Sequence, residues 1–107
     1  MATGEDVKRI ALTLPGTLSA PHMDRLAFKV KRIYATLAAD AGSLNLKLTP
    51  EEQEFKVMLA PEAFSPVPGG WGRQGWTTVT LAELSLDELA AALAMAHAHA
   101  LPARPAR

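Results

Sequence analysis

The sequence predicts an α+β domain, a small antiparallel sheet with helices packed mainly on one face. Three observations predict it. Apolar residues recur at helical spacing near both ends of the chain and once in the middle, and between these stretches they alternate with polar ones in short runs. The runs succeed one another across links too short for a crossover helix, so they pair as an antiparallel meander. Their polar alternates, Lys29 and Lys31 among them, require only one covered face. A chain of 107 residues suits one hydrophobic core, and with 49% hydrophobic and 21% charged residues it has the apolar content to bury one.

Thr3 caps a first helix with Asp6 at the third helical position, and Val7, Ile10, Ala11 and Leu14 form its stripe until Pro15-Gly16 stops it. Leu26 to Lys31 reads as a strand with Leu26, Phe28 and Val30 inward and Lys29 and Lys31 outward. Ile33 to Leu37 is the next strand, with Ile33, Ala35 and Leu37 in phase. The turn residues Asp40 to Ser43 lead to a third, with Leu44, Leu46 and Leu48 in phase. Thr49-Pro50-Glu51-Glu52 starts a second helix, with Thr49 as cap, Pro50 in the first turn and Glu52 placed for the reciprocal bond. Phe55, Met58 and Leu59 offer it an apolar face, and it ends by Pro61.

A short turn over Pro61 to Phe64 then enters Ser65 to Trp76, which is too rich in Pro and Gly for a regular element and reads as a shaped loop. Thr77 to Leu81 restores strand character. Ser85, with Glu88 at the third helical position, caps a final helix whose buried stripe is Leu86, Leu89, Ala90, Leu93 and Ala96 or His97. One domain is expected over residues 1–101, with 102–107 as a flexible tail that has no stripe to bury.

Eleven Lys+Arg balance eleven Asp+Glu, so no global positive field draws the protein onto nucleic acid or an anionic membrane. Any such binding needs a local patch. The absence of cysteine excludes disulfides, thiol redox chemistry and thiolate metal sites. No apolar stretch approaches the roughly 18 residues of a membrane span, and the charged N-terminus does not read as an export signal. A cytoplasmic location with no membrane partner is the expectation.

The residues do not assemble an enzyme. Ser65, His22 and Asp24 are not framed by a nucleophile elbow. Glu51, Glu52 and Glu54 sit at a helix start, where carboxylates offset the positive end of the dipole. His97 and His99 are two apart on a helix, about 200° around its axis, and do not converge on a metal. Glycines 69, 70, 72 and 75 precede a strand, whereas phosphate-binding loops open a helix. No catalytic residue, metal or cofactor is therefore expected.

Two features remain as candidate binding sites. The segment from His22 to Arg32 sets Arg25, Lys29, Lys31 and Arg32 against the single acid Asp24, and its strand face can present Lys29 and Lys31 to phosphate. The loop from Trp71 to Trp76 carries Arg73 between two tryptophans, with two uses open to it. It can cover a tryptophan or pair with a carboxylate, or it can bind an anion or stack on a base, while Trp71 and Trp76 anchor the loop by burial.

Several pieces together resemble the MmcQ/YjbR family of small bacterial proteins. They are Leu14-Pro15-Gly16, Ala27-Phe28-Lys29-Val30 leading to Ile33-Tyr34-Ala35-Thr36-Leu37, Leu46-Lys47-Leu48 before Pro50-Glu51-Glu52-Gln53, and above all Pro66 to Thr77, PVPGGWGRQGWT. The resemblance runs from about Val7 to Leu101 and implies the compact CyaY-like α+β fold and a DNA-binding role. Carried onto this chain it implies nucleic-acid contacts from Arg25, Lys29, Lys31 and Arg73. The alternative is a non-enzymatic module that binds a protein or a small anionic ligand through the Trp71 to Trp76 loop.

Overall fold

The computed structural model describes residues 1–101, and the expected tail at 102–107 lies outside the described residues. Helix α1 (Gly4–Thr13) precedes strands β1 (Leu18–His22), β2 (Arg25–Lys29), β3 (Ile33–Leu37) and β4 (Ser43–Lys47). Helix α2 (Pro50–Leu59), strand β5 (Phe64–Pro66), the single turn α3 (Gly70–Arg73) and strand β6 (Trp76–Thr80) come next, and α4 (Leu86–Ala100) closes the described chain. The six strands form one antiparallel sheet in the order β1-β2-β3-β4-β6-β5. The first four make a meander, in which β2, β3 and β4 are the strands expected. The chain then leaves through α2, returns on the far edge as β5, and inserts β6 between β5 and β4.

Residues directly opposite one another share a sheet face. On the inner face Phe28 lies opposite Ala35, Ala35 opposite Leu46, Leu37 opposite Leu44, and Leu44 and Phe64 both opposite Val79. All of these side chains are buried. Helix α4 packs across this face on β3 and β4, and α1 packs against α4. The α4 stripe is Leu89, Ala92, Leu93, Ala96, His97 and Ala100. Its alanines carry no side chain beyond Cβ, so the helix axis can approach the leucines of the sheet closely. The helices start as their caps predict: Thr3 with Asp6, Thr49 with Glu52 and Ser85 with Glu88 each form both bonds of a capping box.

A bulge lies in β3. Phe28 pairs with Ala35 and Lys29 with Ile33, so Tyr34 is the extra residue. Simple alternation would turn Tyr34 outward with Thr36, but the bulge turns it inward. There its ring meets His97 edge-on at 5.5 Å and its hydroxyl lies 2.9 Å from that of Thr17. His97 in turn donates from Nε2 to the Pro15 carbonyl at 2.8 Å. Burial pushes the Tyr34 phenol up from its ordinary value, and the Thr17 bond opposes this without cancelling it. Three chain segments, the link after α1, the start of β3 and the end of α4, are thus tied through one polar cluster.

The structure departs from the sequence reading at several elements. β1 is an addition, because Leu18-Ser19-Ala20-Pro21-His22 shows no apolar alternation. It is an edge strand, where proline is tolerated and burial is slight. β5 is likewise a three-residue edge strand ending at Pro66, and the expected shaped loop therefore contains β5 and the turn α3. β2 stops at Lys29, so Val30, Lys31 and Arg32 form a link in which the Val30 N–H donates to the Arg32 carbonyl. Period two therefore does not extend to Lys31. Leu86 and Phe55, Met58 and Leu59 are exposed. Helix α2 instead turns Gln53, Lys56, Val57 and Ala60 inward, with the Lys56 ammonium over the Phe64 ring. Its orientation follows from polar ties at its start, this cation–π contact and the packing of Val57 and Ala60 against the core, not from the expected stripe.

Two glycines in the return path meet a backbone constraint. A Cβ on Gly75 would overlap the Leu48 carbonyl oxygen, and Gly75 has φ +108. A Cβ on Gly72 would overlap the Val67 carbonyl oxygen. Gly75→Ala is therefore expected to cost about 3 kcal/mol or more, combining overpacking with positive-φ strain. Urea unfolding measures this, and a loss below about 1 kcal/mol would show that the β4–β6 register does not depend on that approach.

The Glu52 carboxylate accepts from the Thr49 backbone N–H at 3.0 Å and lies 2.7 Å from His99 Nε2. Burial pushes its pKa up, but the Thr49 backbone N–H, the His99 ring and the Thr49 hydroxyl together hold it below the ordinary value of 4.5. A lowered folded-state pKa gives stability that is complete above the unfolded value and lost as pH falls through the folded one. Across a pH series of urea melts, Glu52→Gln is expected to flatten the loss of stability below about pH 4.5. An acid limb as steep as that of the parent protein would exclude this role.

Candidate functional site

The face of the sheet away from α1 and α4 carries the out-of-phase residues. Ala20 lies opposite Ala27, Ala27 opposite Thr36, Thr36 opposite Asn45, Asn45 opposite Thr78, and Thr78 opposite Ser65. One row of small or short polar side chains thus crosses all six strands. Thr36 and Asn45 of this row floor a groove of about 530 Å³.

Its walls come from separated parts of the chain. The β1–β2 hairpin tip brings His22, Met23 and Asp24, β2 brings Arg25, and the β2–β3 link with the start of β3 brings Arg32 and Ile33. Val67, Trp71 and Trp76 face them from the β5–β6 side. Three strand spacings separate β2 from β6, about 14 Å. The protein's two tryptophans therefore line the same groove as two arginines and a single carboxylate, Asp24.

Each wall is held in place. Arg25 is half-buried, donating from Nε to the Thr36 hydroxyl and from Nη2 to the Thr36 carbonyl, both at 2.8 Å. Its other amino group makes no hydrogen bond among the described residues. In the floor, the Thr78 hydroxyl donates to Asn45 Oδ1 at 2.9 Å, which leaves the Asn45 amino group as a donor. On the aromatic side, Gln53 Nε2 of α2 donates to both the Gly72 and the Trp76 carbonyls at 2.9 Å. One amide thereby fixes the backbone at both ends of the segment joining the tryptophans.

The sequence candidates divide. Arg25, Trp71 and Trp76 come together in the groove. Lys29 and Lys31 are exposed at the end of β2 and in the link after it, outside the groove lining, and they do not share a strand face. Arg73 is exposed and also outside the groove, its guanidinium alongside Gly70 of its own turn. The expected anchoring of the loop by burial of both tryptophans is corrected: Trp71 is 63% exposed and Trp76 half-buried. The anchors are Gly72, Gly75 and Gln53. Sequence reasoning misses Arg32, Thr36, Asn45 and Gln53 as individual site residues. Thr36 and Asn45 are readable as the polar alternates of apolar strand residues, whereas the tie from Gln53 depends on tertiary placement.

The YjbR family model matches residues 12–99, which include every residue of the groove. The chain belongs to the YjbR family. Its fold is similar to the crystal structure of Deinococcus radiodurans protein DR2400, family domain DUF419, with a TM-score of 0.73 and 29% identity over 87% of this chain and 74% of that one. No curated protein matches the chain. Among the described residues no three His, Asp or Glu side chains gather to hold a metal ion, and no helix is long and apolar enough to cross a membrane.

Replacing Gln53 by Leu removes both donors to the Gly72 and Trp76 carbonyls in this YjbR chain. The expected result is a loss of about 1–3 kcal/mol in urea unfolding, with tryptophan emission shifted to the red as Trp76 becomes more hydrated. Unchanged emission and stability would show that the loop holds its shape without the amide.

Proposed function

We propose that the open-face groove binds nucleic acid by taking an unpaired nucleotide, its base against Trp71 or Trp76 and its phosphate toward Arg25 and Arg32. The observation that carries this reading is the placement of both tryptophans and two arginines around one groove over a floor of short side chains. Aromatic faces accept any base by stacking, and guanidinium groups meet the phosphate beside it. The Asn45 amino group and the free Arg25 amino group add hydrogen-bond donors. The single acid at the lip, Asp24, leaves the lining with net positive charge.

This reading refines the expected DNA contact. A duplex held by a Lys29 and Lys31 strand face finds less support, because Lys31 lies in the link after β2. A single strand needs no such face. The alternative of a small anionic ligand draws on the same lining, and the groove has the volume of a small-molecule site.

Because both tryptophans line the groove, intrinsic fluorescence reports binding directly. Unlabelled oligothymidylate is expected to quench it saturably, more strongly than a duplex of equal length. With two arginines meeting phosphate, the salt slope is about −1.4. Trp71→Ala is expected to weaken binding about tenfold, and its exposed side chain can be removed without unfolding the chain. Quenching by neither strand nor mononucleotide at low salt would overturn the reading. Binding of duplex alone, weakened by the double substitution Lys29→Ala and Lys31→Ala, would move the contact to that surface.

A further inference from the structure

A second cavity, about 390 Å³, adjoins the groove and shares Arg32, Ile33 and Trp76 with it. Its remaining lining comes from Lys47, Leu48, Thr49 and Pro50 between the end of β4 and the start of α2, from Tyr34, and from the end of α4, Ala96, His99 and Ala100. No carboxylate lines it, while Arg32 and Lys47 bring two permanent cations. Glu52, which is not in the lining, is engaged by two residues that are, His99 and the Thr49 N–H.

The register explains why the two spaces meet. Lys47 lies directly opposite Trp76, so the ammonium stem and the indole belong to one sheet face. Lys47 donates to the Gln74 carbonyl, which holds its charge beside the segment that carries both tryptophans. The bulge at Tyr34 brings Ile33 to the boundary of both cavities. Trp76, Ile33 and Arg32 line both spaces and so make up the ridge between them. A ligand with one anionic group in the groove can cross this ridge and set its next anionic group between Arg32 and Lys47.

We propose that this second cavity is an adjoining nucleotide subsite, so that the ligand is at least a dinucleotide running across Trp76, with Lys47 contacting the second phosphate. The proposal rests on the nucleic-acid reading of the groove and adds to it the length of strand bound and a residue specific to the second position. Neighbouring phosphates in a strand are joined by a short linker. Binding the first therefore presents the second at high effective concentration, and a weak second site yields a measurable gain.

The test is a set of tryptophan-fluorescence titrations of the whole chain at low salt with 5′-thymidylate, the 5′-phosphorylated thymidine dinucleotide and tetrathymidylate. These are repeated with Lys47→Gln, which removes the charge but keeps a donor for the Gln74 carbonyl. The parent protein is expected to bind the dinucleotide about tenfold more tightly than the mononucleotide. Lys47→Gln is expected to lose most of that gain while leaving mononucleotide affinity unchanged. A dinucleotide no tighter than the mononucleotide, or a Lys47→Gln loss equal for both, would overturn the second subsite and leave the groove reading intact. Absence of binding by all three overturns both. Urea midpoints for the two proteins check that the substitution leaves the fold in place, and Lys47→Arg, which keeps the charge, is expected to restore the gain.

Discussion

Strand β6 lies between β4 and β5 because the backbone passes two carbonyls at distances that only glycine allows. At Gly75 the chain crosses Leu48 and at Gly72 it crosses Val67, and the gap is then closed by hydrogen bonds. Leu48 N–H donates to the Gly75 carbonyl at 3.1 Å, Val67 N–H to the Trp76 carbonyl at 3.0 Å, and Gln53 to the Gly72 and Trp76 carbonyls. The central pairing of Leu44 and Phe64 with Val79, and with it half of the inner face, depends on this crossing. So does the presentation of the tryptophans, since the segment that carries them is pinned at its backbone while Trp71 is left exposed. Rigid support beneath exposed aromatic surface is what a binding site gains from such a constraint.

The sheet divides its two faces by size as much as by polarity. Its inner face is filled by leucines, Phe28, Phe64 and Val79 beneath α4. The outer row is Ala20, Ala27, Thr36, Asn45, Thr78 and Ser65, none long enough to fill the space above it. Bulk returns only at the borders, with Arg25 and Arg32 on one side and Trp71 and Trp76 on the other. The hollow is therefore a product of side-chain length along one register row, and the charged and aromatic groups around it are supplied by the hairpin tip, a link and the return loop.

How much of the molecule is legible in the sequence depends on how local each signal is. The capping pairs Thr3 with Asp6, Thr49 with Glu52 and Ser85 with Glu88 span three residues each, and all three form as read. The alternation in β4 is equally local, whereas in β3 the expected phase of Ile33 with Ala35 and Leu37 is broken by the bulge at Tyr34. The edge strands β1 and β5 are held by pairing alone and bury little, so Pro21 and Pro66 speak against them although an edge accommodates both. The stripe Phe55, Met58 and Leu59 misleads for a related reason. Periodicity identifies a helix face but not its direction, which here follows from Gln53, Lys56, the capping box and the packing of Val57 and Ala60. Of the site, Arg25, Trp71 and Trp76 are readable as candidates by residue type. Their convergence, and the exclusion of Lys29, Lys31 and Arg73 from the groove, depend on the end of β2 and on the crossing at Gly72 and Gly75.

The extra residue in β3 lets a single strand serve both layers. On one side of Tyr34 the alternation is in step with the helix-covered core, and on the other Ile33 belongs to the border between the two cavities. A one-residue deletion at position 34 would restore uninterrupted alternation with Ile33 still opposite Lys29, and would remove the ring that joins Thr17 to His97. The link at Val30, Lys31 and Arg32 lies outside the ladder and has no such phase to keep. Two neighbouring stretches of chain thus differ in what holds them, the link by its own Val30 to Arg32 hydrogen bond and the bulge by the buried Tyr34.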